Sequence, residues 1–244
     1  MRMKKLMALA LTAVMTFSLA ACSSGGTDSG GSSGESTGER SESTSTESSG
    51  GGSIGFAVST LNNPFFVTLT EGAEAKAEAE GVELIVVDAG DDAAKQTSDI
   101  EDLVSKNISV LIVNPVDSDA VAPAVEDAIA KGIKVIAVDR GVNGVEIDCS
   151  IASDNVAGAK MATEYLVSLV GEGAKVAELE GVPGASATID RGEGFHLIAD
   201  EQLDVVSKQT ANFNRSEGMT VMENILQANS DIKGVFAHND EMAL

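Results

Sequence analysis

Two short stretches of the sequence carry side chains that can bind a small polar molecule. STLNNPFF, residues 59–66, places hydroxyl and amide groups directly before two adjacent phenylalanines. VDR ends in Asp139 and Arg140 and adds a carboxylate and a guanidinium after an apolar run. Because the chain has only seven Phe, one Tyr and no Trp, two adjacent rings in a turn need an explanation. They either belong to the core or offer a flat apolar surface to a ligand.

The chemistry of these groups favours hydrogen bonding to hydroxyls. A sugar hydroxyl both donates and accepts; Arg supplies donors, Asp supplies acceptors and Asn supplies both. The apolar C–H faces of a sugar ring would lie against phenylalanine rings. The first loop matches neither the dinucleotide nor the P-loop fingerprint, and phosphates would need more cations than a chain of net charge −22 provides. We therefore expect a neutral polyhydroxyl ligand.

Signals for an enzyme, a metal or a cofactor are missing from the sequence. There is no G-x-S-x-G elbow, and His196 and His238 lie far apart without metal-ligand spacing. Cys22 and Cys149 alone cannot build a disulfide framework, and we interpret Cys149 as a small apolar packing residue. The strong negative charge disfavours nucleic acid as a partner. We predict no catalytic residue, no metal and no cofactor.

The elements that must position these groups alternate in type. Helical stretches rich in Ala and Glu separate seven apolar runs: SIGFAVS, VELIVVD, SVLIVNP, KVIAVDR, AKVAELEG, LDVVSKQT and KGVFAHND. Consecutive apolar residues are typical of parallel strands covered on both faces, and the order βαβα predicts a doubly wound α/β fold. Several runs end on polar residues, and ligands bind outside the carboxyl ends of such strands. An Asp139–Arg140 pair that binds only itself is the alternative interpretation.

The first predicted helix, residues 64–80, indicates which of the two phenylalanines faces the core. Asn63 suits the N-cap, Pro64 the first helical position and Gly81 a left-handed C-cap. Phe66 belongs to the helical stripe that should face the sheet, whereas Phe65 lies beside this stripe at the start of the helix. Further helices are predicted over residues 93–106, 121–131 and 157–170.

The N-terminal region indicates export. Residues 1–21 have a basic start and an apolar stretch of signal-peptide length, and they lead into LAAC, which resembles the bacterial lipobox. We predict that Cys22 is lipidated; an ordinary signal peptide with a chance cysteine is the alternative. Residues 22–53 are rich in Ser and Gly and predict a flexible, disordered tether. The predicted location is the outer face of the cell membrane, or the periplasm if the host has an outer membrane.

Several motifs occur together and in order: VSTLNNPFF, VNPVDSDAV, VDR, IASDN, GEGAKV, RGEGF and VFAHNDEMAL. From about residue 53 the chain resembles the sugar-binding proteins of bacterial ABC transporters, the type I periplasmic binding proteins, and among them the ribose-binding members. The resemblance implies two Rossmann-like lobes, residues 54–152 and 153–244, with a ligand cleft between them. The second lobe is expected to be incomplete, because the sequence stops at NDEMAL, one turn into an expected helix.

The resemblance also implies a set of ligand-binding residues. By matching motifs these are Ser59, Asn63, Phe65, Phe66, Asp139 and Arg140 from the first lobe, and Arg191, Phe213 and Asn239 from the second. Ser59 and Asn63 would make hydrogen bonds to the sugar. Phe213 would lie opposite the two first-lobe rings and complete an aromatic sandwich.

The function implied is capture of a monosaccharide, with ribose first, and its delivery to an ABC permease by a monomer that does no chemistry on the sugar. The resemblance also allows a chemoreceptor as a partner, and allose, xylose or an autoinducer-type molecule as the ligand. A regulator of the lac-repressor type would need an N-terminal helix-turn-helix where this chain has its signal and lipobox. A sugar-processing enzyme would need a general acid/base pair, and Asp139 is already matched by Arg140.

Overall fold

The computed structural model describes residues 52–244, so the predicted signal peptide, Cys22 and most of the tether lie outside the described residues. The strands are β1 (Ile54–Val58), β2 (Leu84–Asp88), β3 (Val110–Val113), β4 (Lys134–Val138), β5 (Cys149–Ile151), β6 (Lys175–Glu180), β7 (Asp204–Thr210) and β8 (Gly234–Ala237). The helices are α1 (Pro64–Glu80), α2 (Ala93–Ser105), α3 (Ala122–Ala130), α4 (Asn155–Val170), α5 (Ser186–Gln202), α6 (Arg215–Ala228) and α7 (Asp240–Ala243). None of these helices combines the length and hydropathy that a membrane crossing requires.

The first lobe is built on a parallel five-stranded sheet in the order β2-β1-β3-β4-β5. One face is covered by α2 and α3, whose Leu103 and Val125 pack on Leu111 and Val135 of the sheet, all four fully buried. On the other face Phe66 packs among sheet residues. Burial on both faces explains why each strand reads as a continuous apolar run. The strand order reverses between β1 and β3, and this is where such sheets open a ligand crevice.

Helix α1 begins and ends where its capping residues dictate. The side chain of Asn63 accepts a hydrogen bond from the Phe65 amide at 3.0 Å, and Pro64 occupies the first turn. Gly81 ends the helix in the left-handed conformation, at φ 66°. Phe66 is 3% exposed, which corresponds to about 2–3 kcal/mol of apolar burial, whereas Phe65 is 55% exposed. The start of this helix therefore anchors one ring in the core and leaves the next ring open.

The second lobe has a parallel three-stranded sheet in the order β7-β6-β8. On one face Phe195 of α5 stacks on Phe236 of β8, with ring centroids 4.6 Å apart. On the other face Leu179 of β6 packs with Ile225 of α6. The predicted α/β architecture of two parallel-sheet lobes is confirmed.

One strand of the first sheet was not predicted. Strand β5 is only three residues long and pairs with β4 alone at the sheet edge, so its sequence carries no apolar run. The interpretation of Cys149 as a packing residue is wrong, because the edge strand leaves it an exposed free cysteine. From Ile151 the chain passes through Asp154, which caps the N-terminus of α4 and so enters the second lobe.

Candidate ligand-binding cleft

A cavity of about 1120 Å³ opens between the two lobes at the carboxyl ends of their strands. The loops after β1 and β4 form its first-lobe wall, and α4, α5 and the segments after β7 and β8 form its second-lobe wall. Eight of the predicted site residues line it: Asn63, Phe65, Phe66, Asp139, Arg140, Arg191, Phe213 and Asn239. The fold thus brings together residues that lie up to 176 positions apart, from Asn63 to Asn239.

Aromatic rings from both lobes meet around one cation. The guanidinium carbon of Arg140 lies 5.0 Å from the centroid of the Phe66 ring and 5.3 Å from that of Phe213. Phe65 meets Phe66 edge-to-face, with centroids 5.2 Å apart and planes at 76°. Such geometry stabilises a cation between rings and leaves flat ring surface at the cavity wall.

The backbone of the second lobe is shaped to aim Phe213 into the cleft. Asn212 and Phe213 both adopt left-handed conformations, at φ 51° and 59°, which is unfavourable for a bulky residue and is held only by surrounding contacts. The Phe213 ring lies directly on the backbone of Gly181, where an added Cβ would stand 2.1 Å from Cζ. Asn239 Nδ2 donates to the Phe213 carbonyl at 3.2 Å and fixes the turn from the other side.

Arg140 is a buried cation with unused hydrogen-bond capacity. It is 2% exposed, and its Nη1 donates to the Pro115 carbonyl at 2.9 Å. Its Nε lies 3.8 Å from Asp139 Oδ2 and finds no hydrogen-bond acceptor among residues 52–244. Burial lowers the pKa of Arg140 to about 10, although the Asp139 and Asp91 carboxylates oppose this change. The guanidinium stays charged at neutral pH, and its buried Nε–H is left without an acceptor by the described residues.

Asp139 supplies the matching acceptor. Its backbone is left-handed, at φ 63°, and its amide donates to the Ile151 carbonyl at 2.8 Å, which turns the side chain into the cleft. Burial raises the pKa of the Asp139 carboxyl, while the charges of Arg140 and Arg191 act in the opposite direction. A partly dehydrated carboxylate of this kind gains from hydroxyl donors that replace its lost water.

Arg191 and Asn239 complete the second-lobe wall. Arg191 Nε donates to Asn155 Oδ1 at 2.9 Å, and its Nη1 donates to the His238 carbonyl at 2.6 Å. Burial lowers the pKa of Arg191, against the opposing charges of Asp139 and Asp240. Asn239 Oδ1 accepts from the Met242 amide at 3.0 Å and so caps α7. Both side chains are thus oriented by the protein itself.

Ser59 lies outside the cavity wall. It is fully buried at the end of β1, and its hydroxyl donates to Asn114 Oδ1 at 2.6 Å. Asn114 Nδ2 donates in turn to the Val138 carbonyl at 3.0 Å, so these two side chains tie the end of β1 to the end of β4. Gln96 of α2 reinforces the pair from below, donating to the Asn114 carbonyl at 2.9 Å and accepting from the Val116 amide at 2.8 Å.

Direct hydrogen bonds between the lobes were missed by the sequence reasoning. Ser186 Oγ accepts from the Gly141 amide at 2.9 Å, and the Ser186 amide donates to Ser118 Oγ at 3.1 Å. The Ser118 amide donates to the Gly184 carbonyl at 3.0 Å. Gly141 directly follows Arg140, so the lobes are joined next to the site. No sequence signal marks these residues, because serine at the start of a helix usually serves as a cap.

The comparisons with known proteins agree with this geometry. The periplasmic binding protein domain family matches residues 54–244. The chain is 56% identical over 191 residues to the ribose import binding protein RbsB of Bacillus subtilis (strain 168), covering 78% of this chain and 63% of that protein. It is 46% identical over 192 residues to RbsB of Escherichia coli (strain K12), covering 78% and 65%. The chain thus spans slightly less than two thirds of the length of these relatives.

Solved structures show the same architecture. The myo-inositol binding protein of Caulobacter, bound to myo-inositol, superposes with a TM-score of 0.74 at 32% identity, covering 78% of this chain and 67% of that one. A solute binding protein of an Actinobacillus succinogenes ABC transporter, with bound D-allose, gives a TM-score of 0.70 at 31% identity, covering 79% and 70%. With the family match over most of its length, this chain belongs to the periplasmic binding protein family.

Proposed function

We propose that the protein binds a monosaccharide, with ribose preferred, between its lobes and delivers it to an ABC import permease. The observation that carries the proposal is the meeting of Phe66 and Phe213, from opposite lobes, around Arg140 and beside Asp139. The phenylalanine ring faces match the apolar C–H faces of a sugar ring, and the guanidinium donor and the partly dehydrated carboxylate match its hydroxyl groups. Relatives that are ribose import binding proteins support ribose as the first candidate.

Each part of the cleft takes a distinct role in this proposal. Phe65, Phe66 and Phe213 stack on the sugar ring, and Asp139 accepts hydrogen bonds from its hydroxyls. The cations Arg140 and Arg191 donate, as do the amide groups of Asn63 and Asn239. Ser59 acts from behind the wall by holding Asn114, which fixes the strand end that carries Asp139. Ligand contacts from both lobes favour a closed state, which the permease then recognises.

No chemistry is proposed for the bound sugar. General acid/base catalysis needs two groups poised to exchange protons with the substrate, whereas Asp139, whose pKa is raised by burial, has the cationic Arg140 as its partner, with Arg140 Nε 3.8 Å from Oδ2. Relatives of known function are binding proteins of importers. Incubation of the protein with ribose, followed by product analysis, should return unchanged sugar; conversion would place the protein among enzymes.

A ligand panel tests the proposal. Thermal unfolding is measured with ribose, D-apiose, D-allose and myo-inositol, which are ligands of relatives and of similar solved structures, and with xylose, an alternative that the sequence left open. A ligand at about 100 times its Kd should stabilise the fold by about 2.7 kcal/mol. Ribose should give the largest rise in Tm, confirmed by calorimetry. A larger rise with another sugar reassigns the ligand, and no rise with any of them contradicts sugar binding.

The anchoring part of the proposal concerns Cys22, outside the described residues. Lipidation of the cysteine in LAAC would hold the exported protein at the membrane, and the Ser/Gly-rich tether would let the lobes reach the permease. Cell fractionation of the wild type and of Cys22→Ala separates the alternatives. The wild type should be found with membranes and the variant should be released or unprocessed; a variant that is processed and membrane-bound as before would exclude lipidation.

A further inference from the structure

Glu178 is a fully buried carboxylate in the second lobe that makes no contact with the cleft. It lies in β6 with 0% exposure, and its Oε1 is 2.9 Å from His238 Nε2. Its Oε2 is 3.0 Å from His196 Nε2 and 3.6 Å from Lys208 Nζ. Burial would raise its pKa, but the His238 hydrogen bond and the nearby Lys208 and His196 charges outweigh this, so the pKa lies below its ordinary value. An ionised group in the interior needs such partners.

The contacts of Glu178 lead to the sugar site through His238. The His238 ring is fully buried, meets Phe236 edge-to-face at 5.6 Å, and lies against the backbone of α5 at Gly192. Its Nδ1 has no hydrogen-bond partner within residues 52–244, so Nε2 and Glu178 provide the hydrogen bond that sets the rotation of the ring. The carbonyl of this same residue accepts from Arg191 Nη1 at 2.6 Å.

We infer that Glu178 is a positioning residue for the sugar site: by holding the His238 ring it fixes the carbonyl that orients the Arg191 guanidinium. His238 directly follows the last residue of β8. Its amide still donates to the Leu179 carbonyl of β6 at 3.0 Å, but beyond this bond the pairing between β6 and β8 no longer holds the chain. The ring is therefore the anchor for the turn that also carries Asn239. The inference rests on the proposed function, in which Arg191 binds the sugar.

A purely structural role predicts something different. If Glu178 only stabilises the second lobe, its replacement changes the melting temperature and leaves the order of Arg191 and the sugar affinity unchanged. Removal of one partner from a buried charged network costs stability in either role, so the two roles are separated by the order of Arg191 and by the sugar affinity, both measured on folded protein.

The first measurement needs no sugar. The 15N–1H NMR signal of Arg191 Nε, assigned by its loss in Arg191→Lys, reports whether the guanidinium is held in the ligand-free protein. The signal should be protected from solvent exchange in the wild type and in Glu178→Gln, which keeps an acceptor for His238. In Glu178→Leu it should exchange rapidly. The matched control is Asp200→Asn. The exposed Asp200 contacts His196, which in turn contacts Glu178, but it does not contact His238, so this variant should preserve the Arg191 signal.

The second measurement is ribose affinity in a double-mutant cycle. Glu178→Leu should weaken ribose binding about tenfold in the wild-type background. In the Arg191→Lys background the loss should be less than about twofold, because the guanidinium that Glu178 orients through His238 is already absent. Equal losses in both backgrounds, or an unchanged Arg191 signal in Glu178→Leu, would overturn the inference.

If Glu178→Leu does not fold, Glu178→Asp keeps the charge but withdraws the carboxylate from His238 and should give the same losses. If the wild type binds no ribose, the proposed function fails, and the NMR signal still decides the role of Glu178.

Discussion

The two lobes begin with the same topology but place the groups that line the cleft on different elements. Each starts on an inner strand, β1 or β6, then adds one strand on either side, giving β2-β1-β3 and β7-β6-β8. The first lobe presents its groups after β1 and β4, at Phe66 and Asp139. The second presents them after β7 and β8, at Phe213 and Asn239, and within α5, at Arg191. The topology determines which edge of each sheet faces the cleft, and the individual loops determine which residues of that edge line it.

The buried side chains that hold the backbone near Arg140 and near Arg191 differ in charge. In the first lobe the neutral side chains of Ser59, Asn114 and Gln96 hold the strand ends beside Arg140. In the second lobe the ionised Glu178 holds His238 behind Arg191. Neutral amides need only hydrogen bonds to be buried, whereas a buried carboxylate loses several kcal/mol of hydration that its partners must return. The second-lobe support should therefore fail more sharply when one partner is removed.

Removal of the aromatic wall of the second lobe should have the largest effect. Gly181→Ala places a methyl group where the Phe213 ring now lies, so the ring must leave its position. Ribose affinity should fall by about thirtyfold, or about 2 kcal/mol, from lost stacking and apolar contact. Gly72→Ala is the matched control, because its Cβ would meet open space on the exposed side of α1 and Gly72 does not line the cavity. Calorimetry that finds equal affinity in both variants would show that Phe213 does not contact the sugar.

The first-lobe cation should come next. Arg140→Lys keeps the charge but loses the planar fork, so affinity should fall at least about tenfold, or about 1.4 kcal/mol, while most of the stability remains. Arg215→Lys is the control: the exposed Arg215 does not line the cavity, it pairs with the partly buried Glu241, and ribose affinity should be unchanged. A loss of Tm without a loss of affinity in Arg140→Lys would mean that Arg140 pairs only with Asp139.

Asp139→Asn should separate affinity from stability. Burial raises the pKa of Asp139 in the folded state above its value in the unfolded chain. The contribution of this carboxyl to folding stability is therefore fully present below the unfolded pKa, and it is lost as the pH rises through the folded pKa. At neutral pH the carboxylate therefore disfavours folding, and Asn also tolerates the left-handed backbone at φ 63°. The ligand-free variant should melt higher than the wild type at pH 7, and its ribose affinity should be about tenfold lower.

The pH dependence provides the internal control for this variant. Well below pH 3.8, where the wild-type carboxyl is protonated as well, the two melting temperatures should converge. A variant that melts lower at pH 7 would show that Asp139 is needed to compensate the buried Arg140.

The smallest effect is expected from the neutral support of the first lobe. Ser59→Ala removes the hydroxyl bonded to Asn114, which should lower the free energy of unfolding by about 1 kcal/mol and change ribose affinity by less than about threefold. Urea unfolding and calorimetry measure the two quantities. A tenfold loss of affinity at unchanged stability would restore Ser59 as a direct ligand.

Local features of the fold could be predicted from the sequence because short-range chemistry determines them. Asn63, Pro64 and Gly81 fix the ends of α1 through caps and backbone preferences that act within a few residues. Phe66 and Phe65 separate into buried and exposed because of helical periodicity alone. The apolar runs likewise predict buried parallel strands before any pairing is known.

Features set by distant contacts could not be predicted in this way. Strand β5 owes its existence to pairing with β4, and its three residues carry no pattern of their own. Ser59 follows a strand as a ligand residue would, but it points toward Asn114, 55 positions away. Glu178 stands in a predicted strand, and its partner His238 lies 60 positions further along the chain. Side-chain direction at a strand end depends on such partners.

The left-handed backbones at Asp139 and Phe213 also have a kinetic consequence. Both residues adopt these conformations through contacts inside the protein, so the conformational work is completed during folding and not during ligand capture. Association should then depend on diffusion and lobe movement, which substitutions in the wall leave nearly unchanged. Differences in affinity among wall variants should therefore appear as differences in the dissociation rate, so that a weakened site releases its ligand sooner without finding it more slowly.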